Sequence, residues 1–296
     1  MNYNTRICII ILLIILYLIK TIVLPLYEKS KINYPFYSEY PKFPNEFYNA
    51  YSKLTLSKVI NNYNKLKNNE YKKSENVIFL FSFDYNIMPN YYNKMKDSFV
   101  KYCNLHGYNF LIFDHNKDKN KISHYWNRVI DLVNLSKKYN SDTIFVYLDI
   151  DTYLNPKYLN IQLDGFLNSI DVIENRVSDI YIGIDPYHTS NAGVIIIRNT
   201  NWSKQFLNLW WSKYNPKEWT FKDSYWSCKQ NKKQCEWGRK GYEQGEFNII
   251  YETNEIDSQN HIKILHNSLI SNNNTYIDSF IYHFYGTINI AYPLLK

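Results

Sequence analysis

Two aspartates one residue apart, Asp149 and Asp151, close an unbroken apolar run from Ile144 to Leu148 in the stretch TIFVYLDIDTYLNP, residues 143–156. The run reads as a buried strand, and Asn155 and Pro156 stop regular structure soon after it. Side chains at i and i+2 of an extended segment point to the same side, so the two carboxylates can converge on one cation without a distant partner. Hard oxygen ligands of this kind suit Mg2+ or Mn2+. A pair of them leaves most coordination positions for water or for a substrate's phosphates.

Taken alone, the motif has competing readings. Carboxylates at a strand's end are commonly solvated loop residues. Haloacid-dehalogenase-like phosphatases also end an apolar strand in D-x-D, with Thr or Val two places after the second Asp; that position is Tyr153 here, and the threonine comes one place early at Thr152. A further titratable residue, His283, stands between Tyr282 and Phe284, a setting more often met in a packed structural histidine than in a ligand.

The elements that must position these groups alternate strand and helix. Val77 to Phe83 is a β-rich run reaching Asp84, followed by a helical pattern from Tyr91 to Leu105, a glycine stop at Gly107, a strand from Tyr108 to Phe113, a helix from His124 to Tyr139, and the aspartate strand. This order implies an α/β fold with a parallel pair and a crossover. Ligands of such sheets sit beyond the carboxyl ends of the strands, where Asp84, Asp149 and Asp151 fall. Downstream, Ile161 to Val177 predicts a helix and Ile180 to Ile184 a short strand reaching Asp185. The segment SNAGVIIIRNTNWSKQFLNLWW then predicts a polar turn, a strand from Val194 to Ile197, a cap region at Asn199 to Asn201 and an amphipathic helix. GYEQGEFNIIY places Glu243, Gln244 and Glu246 before another apolar run.

At 296 residues the chain has room for one large domain and an appendage. The net charge of +7 favours an anionic substrate or an acidic membrane surface, while scattered lysines without a basic stripe argue against nucleic acid. Ile7 to Leu26 is long and apolar enough to cross a bilayer, with Lys20 near one end, and no small-x-small cleavage pair follows it, so we expect a membrane anchor at 7–26 after a short tail, 1–6. Residues 27–75, with prolines at 35, 41 and 44 and a polar helical stretch near Tyr51 to Lys73, read as a stem, and the folded domain is expected over 76–296. Acceptor sequons fall at Asn134, Asn201 and Asn273, and Cys228 and Cys235 bracket a lysine-rich loop that a disulfide can close in an oxidising lumen.

Several segments in this order resemble the nucleotide-sugar-dependent transferases of the GT-A fold, most closely glycosyltransferase family 34, the galactosyl-, mannosyl- and xylosyltransferases of the Golgi. They are the Trp126-Asn127-Arg128 helix, LDIDTYLNP, NAGVIIIRNTNWSKQFLNLWW, YEQGEFNIIY and YHFYG, spanning most of residues 76–286. The resemblance implies a Rossmann-like, mixed but mainly parallel sheet flanked by helices, behind an N-terminal transmembrane helix and stem. It implies Mn2+ (or Mg2+) held by Asp149, Asp151 and His283 against a sugar nucleotide, with a UDP-sugar favoured over a GDP-sugar. Asp84, Arg128, Asp149, Asn191, Gly193 and Gly286 then fall to donor binding, and Gln244, Glu243 and Asp185 to catalysis with retention of configuration. A glycan or glycoprotein is the implied acceptor, with Tyr187, His188, Trp210, Trp211, Trp219 and Trp226 as rings that stack on sugars or pack in the core. The implied setting is a single-pass type II protein with its catalytic domain in a Golgi-like lumen, and a homo-oligomer is compatible with it.

Two positions depart from the family pattern. Glu243 stands where the family has Asp, and Thr287 and Ile288 follow His-Phe-x-Gly where Cys-Lys is usual. They support an alternative of another class, a degenerate transferase domain that binds a sugar nucleotide or glycan as an adaptor without turnover.

Overall fold

The computed structural model describes residues 54–66, 76–83, 89–115, 122–184, 189–222, 225–228, 240–266, 268–271 and 278–284. The expected anchor at 7–26 lies outside them, and among the described residues no helix is long and apolar enough to cross a membrane. In chain order the elements are α1 (Leu56–Leu66), β1 (Asn76–Phe83), α2 (Pro89–His106), β2 (Asn109–Asp114), α3 (His124–Lys138), β3 (Thr143–Asp149), β4 (Thr152–Leu154), α4 (Leu163–Glu174), β5 (Ile180–Ile184) and β6 (Ser190–Arg198). They continue with α5 (Asn201–Ser212), β7 (Trp219–Lys222), β8 (Tyr225–Cys228), α6 (Glu243–Glu252), α7 (Ser258–His261), β9 (Ile262–Leu265), β10 (Ile270–Ser271) and β11 (Ile281–His283).

Six strands form the central sheet in the order β2-β1-β3-β6-β5-β9. The pairs β1–β2, β1–β3 and β5–β9 are parallel, and β6 runs antiparallel to both its neighbours. The result is the mixed, mainly parallel α/β sheet that the motif order implies. Its strands carry apolar residues on both faces because helices cover both. On one side Phe79, Phe81, Val146, Leu148, Val194 and Ile196 pack with α1, α2 and α4. On the other, Ile78, Leu80, Phe145, Tyr147, Ile195 and Ile197 pack with α3, α5 and α6. Alternation along β3 therefore sends Asp149 to the α3 side, behind Tyr147.

Three features differ from the sequence reading. Helix α1 lies within the expected stem, yet Leu54, Leu56, Val59 and Tyr63 are buried in the core, Asn62 Nδ2 donates to Ser169 O (3.2 Å) and Gln162 N donates to Tyr63 Oη (3.3 Å). The packed core thus begins before Asn76, since Leu56, Val59 and Tyr63 recur at helical spacing and line one face. Helix α4 stops at Glu174 rather than Val177 because Asn175 takes a left-handed cap (φ 50°), and Val177 is left exposed. Asn191 to Gly193 belong to β6 rather than to a turn. The glycine stop is as expected: Gly107 has φ +71° and ends α2.

A small second sheet, β10-β11-β4, carries the site's third ligand candidate. Strand β4 leaves directly from the aspartates, and β11 pairs antiparallel with it in a register that sets His283 opposite Thr152.

Candidate functional site

The turn between β3 and β4 is tied locally. Thr152 Oγ1 donates to Asp149 O (2.6 Å), and Phe284 N donates to Asp151 O (3.0 Å), which fastens the end of β11 to the same turn. These bonds bring His283 Nε2 to 3.2 Å from Asp151 Oδ1 and 3.8 Å from Asp149 Oδ2. One ligand atom from each of the three residues lies within 4.8 Å of the others, close enough together for one metal ion to be shared. Burial pushes the Asp149 carboxyl up, against the opposing pull of Arg128 and His283. Burial also presses the His283 imidazole down, but the Asp151 and Asp149 carboxylates together offset it and the group is raised overall. Two carboxylates and an imidazole crowded this way form a donor set that a divalent ion fits, with Arg128 Nη2 also donating to Asp149 Oδ2 (3.3 Å).

Gly193 is required by that ring. It lies in β6 beneath His283, and a Cβ there would overlap the imidazole. The stretch from Ser190 to Gly193 is also where β6 runs past the end of β3, since their pairing stops at Leu148 with Val194. Side chains take the missing strand's place. Arg128 Nη1 donates to Ala192 O (2.6 Å), Ala192 N donates to Gln244 Oε1 (3.1 Å), and Ser190 N donates to Asn248 Oδ1 (3.1 Å). Asn191 Oδ1 accepts from Gly193 N (2.9 Å), so this asparagine shapes the strand it sits on.

Arg128 keeps its guanidinium engaged within the protein. It is buried on α3, with Nη2 3.0 Å from Asp149 Oδ1, Nε 3.6 Å from Glu243 Oε1, and its guanidinium 5.0 Å from the centre of the Tyr147 ring. It orients Asp149 and links it to Glu243. The Glu243 carboxyl is pushed up to about 7 by burial, against the pull of Arg128, and its Oε2 is buried without a hydrogen-bond partner among the described residues. Gln244 spends its carbonyl oxygen on Ala192, which leaves its amide NH2 as the group it can offer. The first turn of α6, which carries both residues, is pinned by two tryptophans: Trp126 Nε1 donates to Gly241 O (3.0 Å) and Trp210 Nε1 to Glu243 O (2.7 Å).

Of the expected sugar-stacking rings, Trp210 and Trp219 are buried in the core, Trp211 and Trp226 are half-buried, and Tyr187 and His188 lie outside the described residues. Asp84, Asp185 and Gly286 also lie outside them. Sequence reading passed over Tyr147 and Asn248. Asn248 was findable, since it stands one helical turn after Gln244 on the same face.

No protein-family profile matches the chain, and no curated protein matches it either. Among solved structures, the fold is similar to the crystal structure of a glycosyltransferase involved in the glycosylation of the major capsid of PBCV-1. The TM-score is 0.52 at 17% sequence identity, with 75% of this chain and 100% of that chain covered.

Proposed function

We propose that the chain is a divalent-metal-dependent glycosyltransferase that moves a hexose or pentose from a nucleotide-diphosphate sugar to a glycan or glycoprotein acceptor. The observation that carries this reading is the convergence of Asp149, Asp151 and His283 at the exit of β3, in a fold shared with a glycosyltransferase. Mn2+ suits the mixed donor set better than Mg2+, which prefers oxygen ligands in a near-ideal octahedron. Such an ion supplies Lewis-acid stabilisation of the charge that grows on the departing diphosphate.

The chain's own residues provide the rest. Arg128 holds Asp149 in register, and Gly193 leaves room for the His283 ring. Gln244, whose carbonyl oxygen is taken by Ala192 N, offers the amide NH2 that we assign to donate to a sugar hydroxyl. Glu243 Oε2, without a partner among the described residues, is the group to face the positive charge that develops on the sugar as its bond to the diphosphate breaks. With retention, the acceptor hydroxyl attacks on the face the diphosphate leaves and passes its proton to the diphosphate oxygen. The likeness to family 34, the preference for UDP over GDP, the anchor at 7–26 and the lumenal, Golgi-like setting belong to this proposal and rest on the motifs.

The test is donor hydrolysis and transfer across a panel of UDP- and GDP-sugars with and without Mn2+. We expect metal-dependent turnover of one donor, and a loss of at least 100-fold in Asp151→Asn with its circular dichroism unchanged. A variant that kept wild-type turnover would falsify the metal assignment, and a wild type inert toward every donor would leave the non-catalytic adaptor. NMR of the product reports the anomeric outcome. A mobility shift on endoglycosidase treatment reports the lumenal orientation.

A further inference from the structure

One of the side chains that hold the overhang of β6 keeps a hydrogen-bond donor in reserve. Asn248, on α6, is 1% exposed, and its Oδ1 accepts from both Ser190 N (3.1 Å) and Ser190 Oγ (2.5 Å). A backbone N–H can only donate, so the carboxamide cannot be turned over and its NH2 is held on the side away from Ser190 N. There Nδ2 is buried and meets no hydrogen-bond partner among the described residues. Buried polar groups are paired as a rule, so a donor held in this way calls for an oxygen from outside those residues. Gln244, one helical turn earlier, repeats the arrangement with its Oε1 on Ala192 N, and Glu243 Oε2 is likewise buried without a partner among the described residues. The three stand in order along α6. Glu243 lies against Arg128, which holds Asp149, while on β6 Gly193 lies beneath His283, Ala192 takes Gln244 and Ser190 takes Asn248. Helix and strand thus both put Asn248 at the end away from the metal-ligand candidates, about 7.5 Å along the helix axis from Glu243.

We propose that Asn248 is a specificity-determining residue: its Nδ2 donates to the 4-hydroxyl of the transferred sugar and so tells one carbon-4 epimer from the other. The assignment rests on the glycosyltransferase reading above, in which Glu243 faces the anomeric carbon. Carbon 4 of a pyranose lies across the ring from the anomeric carbon, so a sugar that sets the one at Glu243 turns the other toward Asn248. A hydroxyl oxygen there supplies the lone pair that Nδ2 lacks. Glucose and galactose, or xylose and arabinose in its pyranose form, differ only in whether that oxygen is equatorial or axial. An NH2 locked in direction by Ser190 reaches one of the two positions. With the other epimer the buried donor stays unpaired, which is how a site built for a hydroxyl rejects a sugar that puts it elsewhere.

The experiment measures kcat and KM for Mn2+-dependent hydrolysis by the full chain of two epimer pairs, UDP-glucose with UDP-galactose and UDP-xylose with UDP-arabinopyranose. The wild type should favour one member of a pair at least about tenfold in kcat/KM. Asn248→Asp keeps an oxygen for Ser190 and exchanges the NH2 for a second oxygen. The favoured epimer should then lose at least about tenfold and the ratio should fall to within roughly threefold, while inhibition by UDP alone, which carries no sugar, stays within roughly threefold of wild type. Asn248→Ala serves as the second variant if the aspartate variant melts early, and it should flatten the ratio in the same way. A residue that only braces β6, or one whose NH2 is satisfied by a buried water, would lower both epimers by the same factor and leave the ratio as it was. That result overturns the proposal, as does a wild type that uses both members of each pair alike or turns over only donors outside them, and in each of these cases the transferase reading stands. Hydrolysis of no UDP- or GDP-sugar removes the transferase reading, and the role of Asn248 with it.

Discussion

Replacing Gly193 by alanine tests the candidate metal site without touching a ligand. An alanine Cβ would stand 2.5 Å from both ring nitrogens of His283. The nearest ring atom, Cε1, would be at 2.1 Å, and ordinary carbon contacts begin near 3.5 Å, so the ring must retreat by roughly 1.4 Å. Metal–ligand distances tolerate about 0.2 Å, so a ring moved that far no longer reaches an ion shared with Asp151, now 3.2 Å from it. The backbone is not the obstacle, since Gly193 is not among the positive-φ glycines. We expect Mn2+ affinity to fall at least tenfold, and overpacking of the buried ring to cost about 1–3 kcal/mol of stability. Isothermal titration of the metal-free protein with Mn2+, beside a thermal melt, measures both. In the double variant Gly193→Ala/His283→Ala the overlap is gone, so part of the melting temperature should return while metal affinity stays low, a coupling that a double-mutant cycle isolates. The reasoning fails if Gly193→Ala binds Mn2+ within threefold of wild type at an unchanged melting temperature.

Three other perturbations address different parts of the fold. Arg128→Met strips the partners of Asp149 and the Ala192 carbonyl; breaking a buried pair of this kind should cost about 3–5 kcal/mol in a urea melt, and losing the group that orients a ligand should weaken Mn2+ by 10- to roughly 100-fold in titration. Glu243 titrates at about 7 against its ordinary 4.5, so the folded state binds the extra proton. Its contribution is full below pH 4.5 and lost as pH rises through 7, an effect of about 3 kcal/mol at most, which Glu243→Gln should flatten in melts run with a chelator present. Val59→Ala, in the helix read as stem, should lower stability by about 2 kcal/mol; a null effect in chemical denaturation would show that α1 is dispensable to the core.

Local pattern made the central strands legible. The apolar runs of β1, β3 and β5 could be read directly because strands buried on both faces carry no polar alternation. What stayed hidden was pairing at long range. Nothing in FIYHFYG announces that β11 will lie against a three-residue strand leaving the aspartates, yet that register is what delivers His283 to Asp151. Ser190 to Gly193 read as a turn because polar and small residues usually mark one. They form a strand here because Arg128, Gln244 and Asn248 satisfy the backbone that β3 no longer reaches. The resemblance, not local pattern, is what assigns Arg128 to the phosphates. Its depth on α3 and its contacts with Asp149 and Glu243 are tertiary facts that no local pattern announces.

The overhang of β6 beyond β3 also bears on how the molecule assembles. Its three side-chain ties span 64, 52 and 58 residues of sequence, so they close only after α3 and α6 have docked on a formed sheet. The hydrogen on the Ala192 nitrogen, bonded to Gln244 rather than to a neighbouring strand, is then a natural clock. Its exchange with deuterated solvent should run faster than that of Val146 or Ile196 in the paired body of the sheet, and should slow when a donor molecule settles α6 in place.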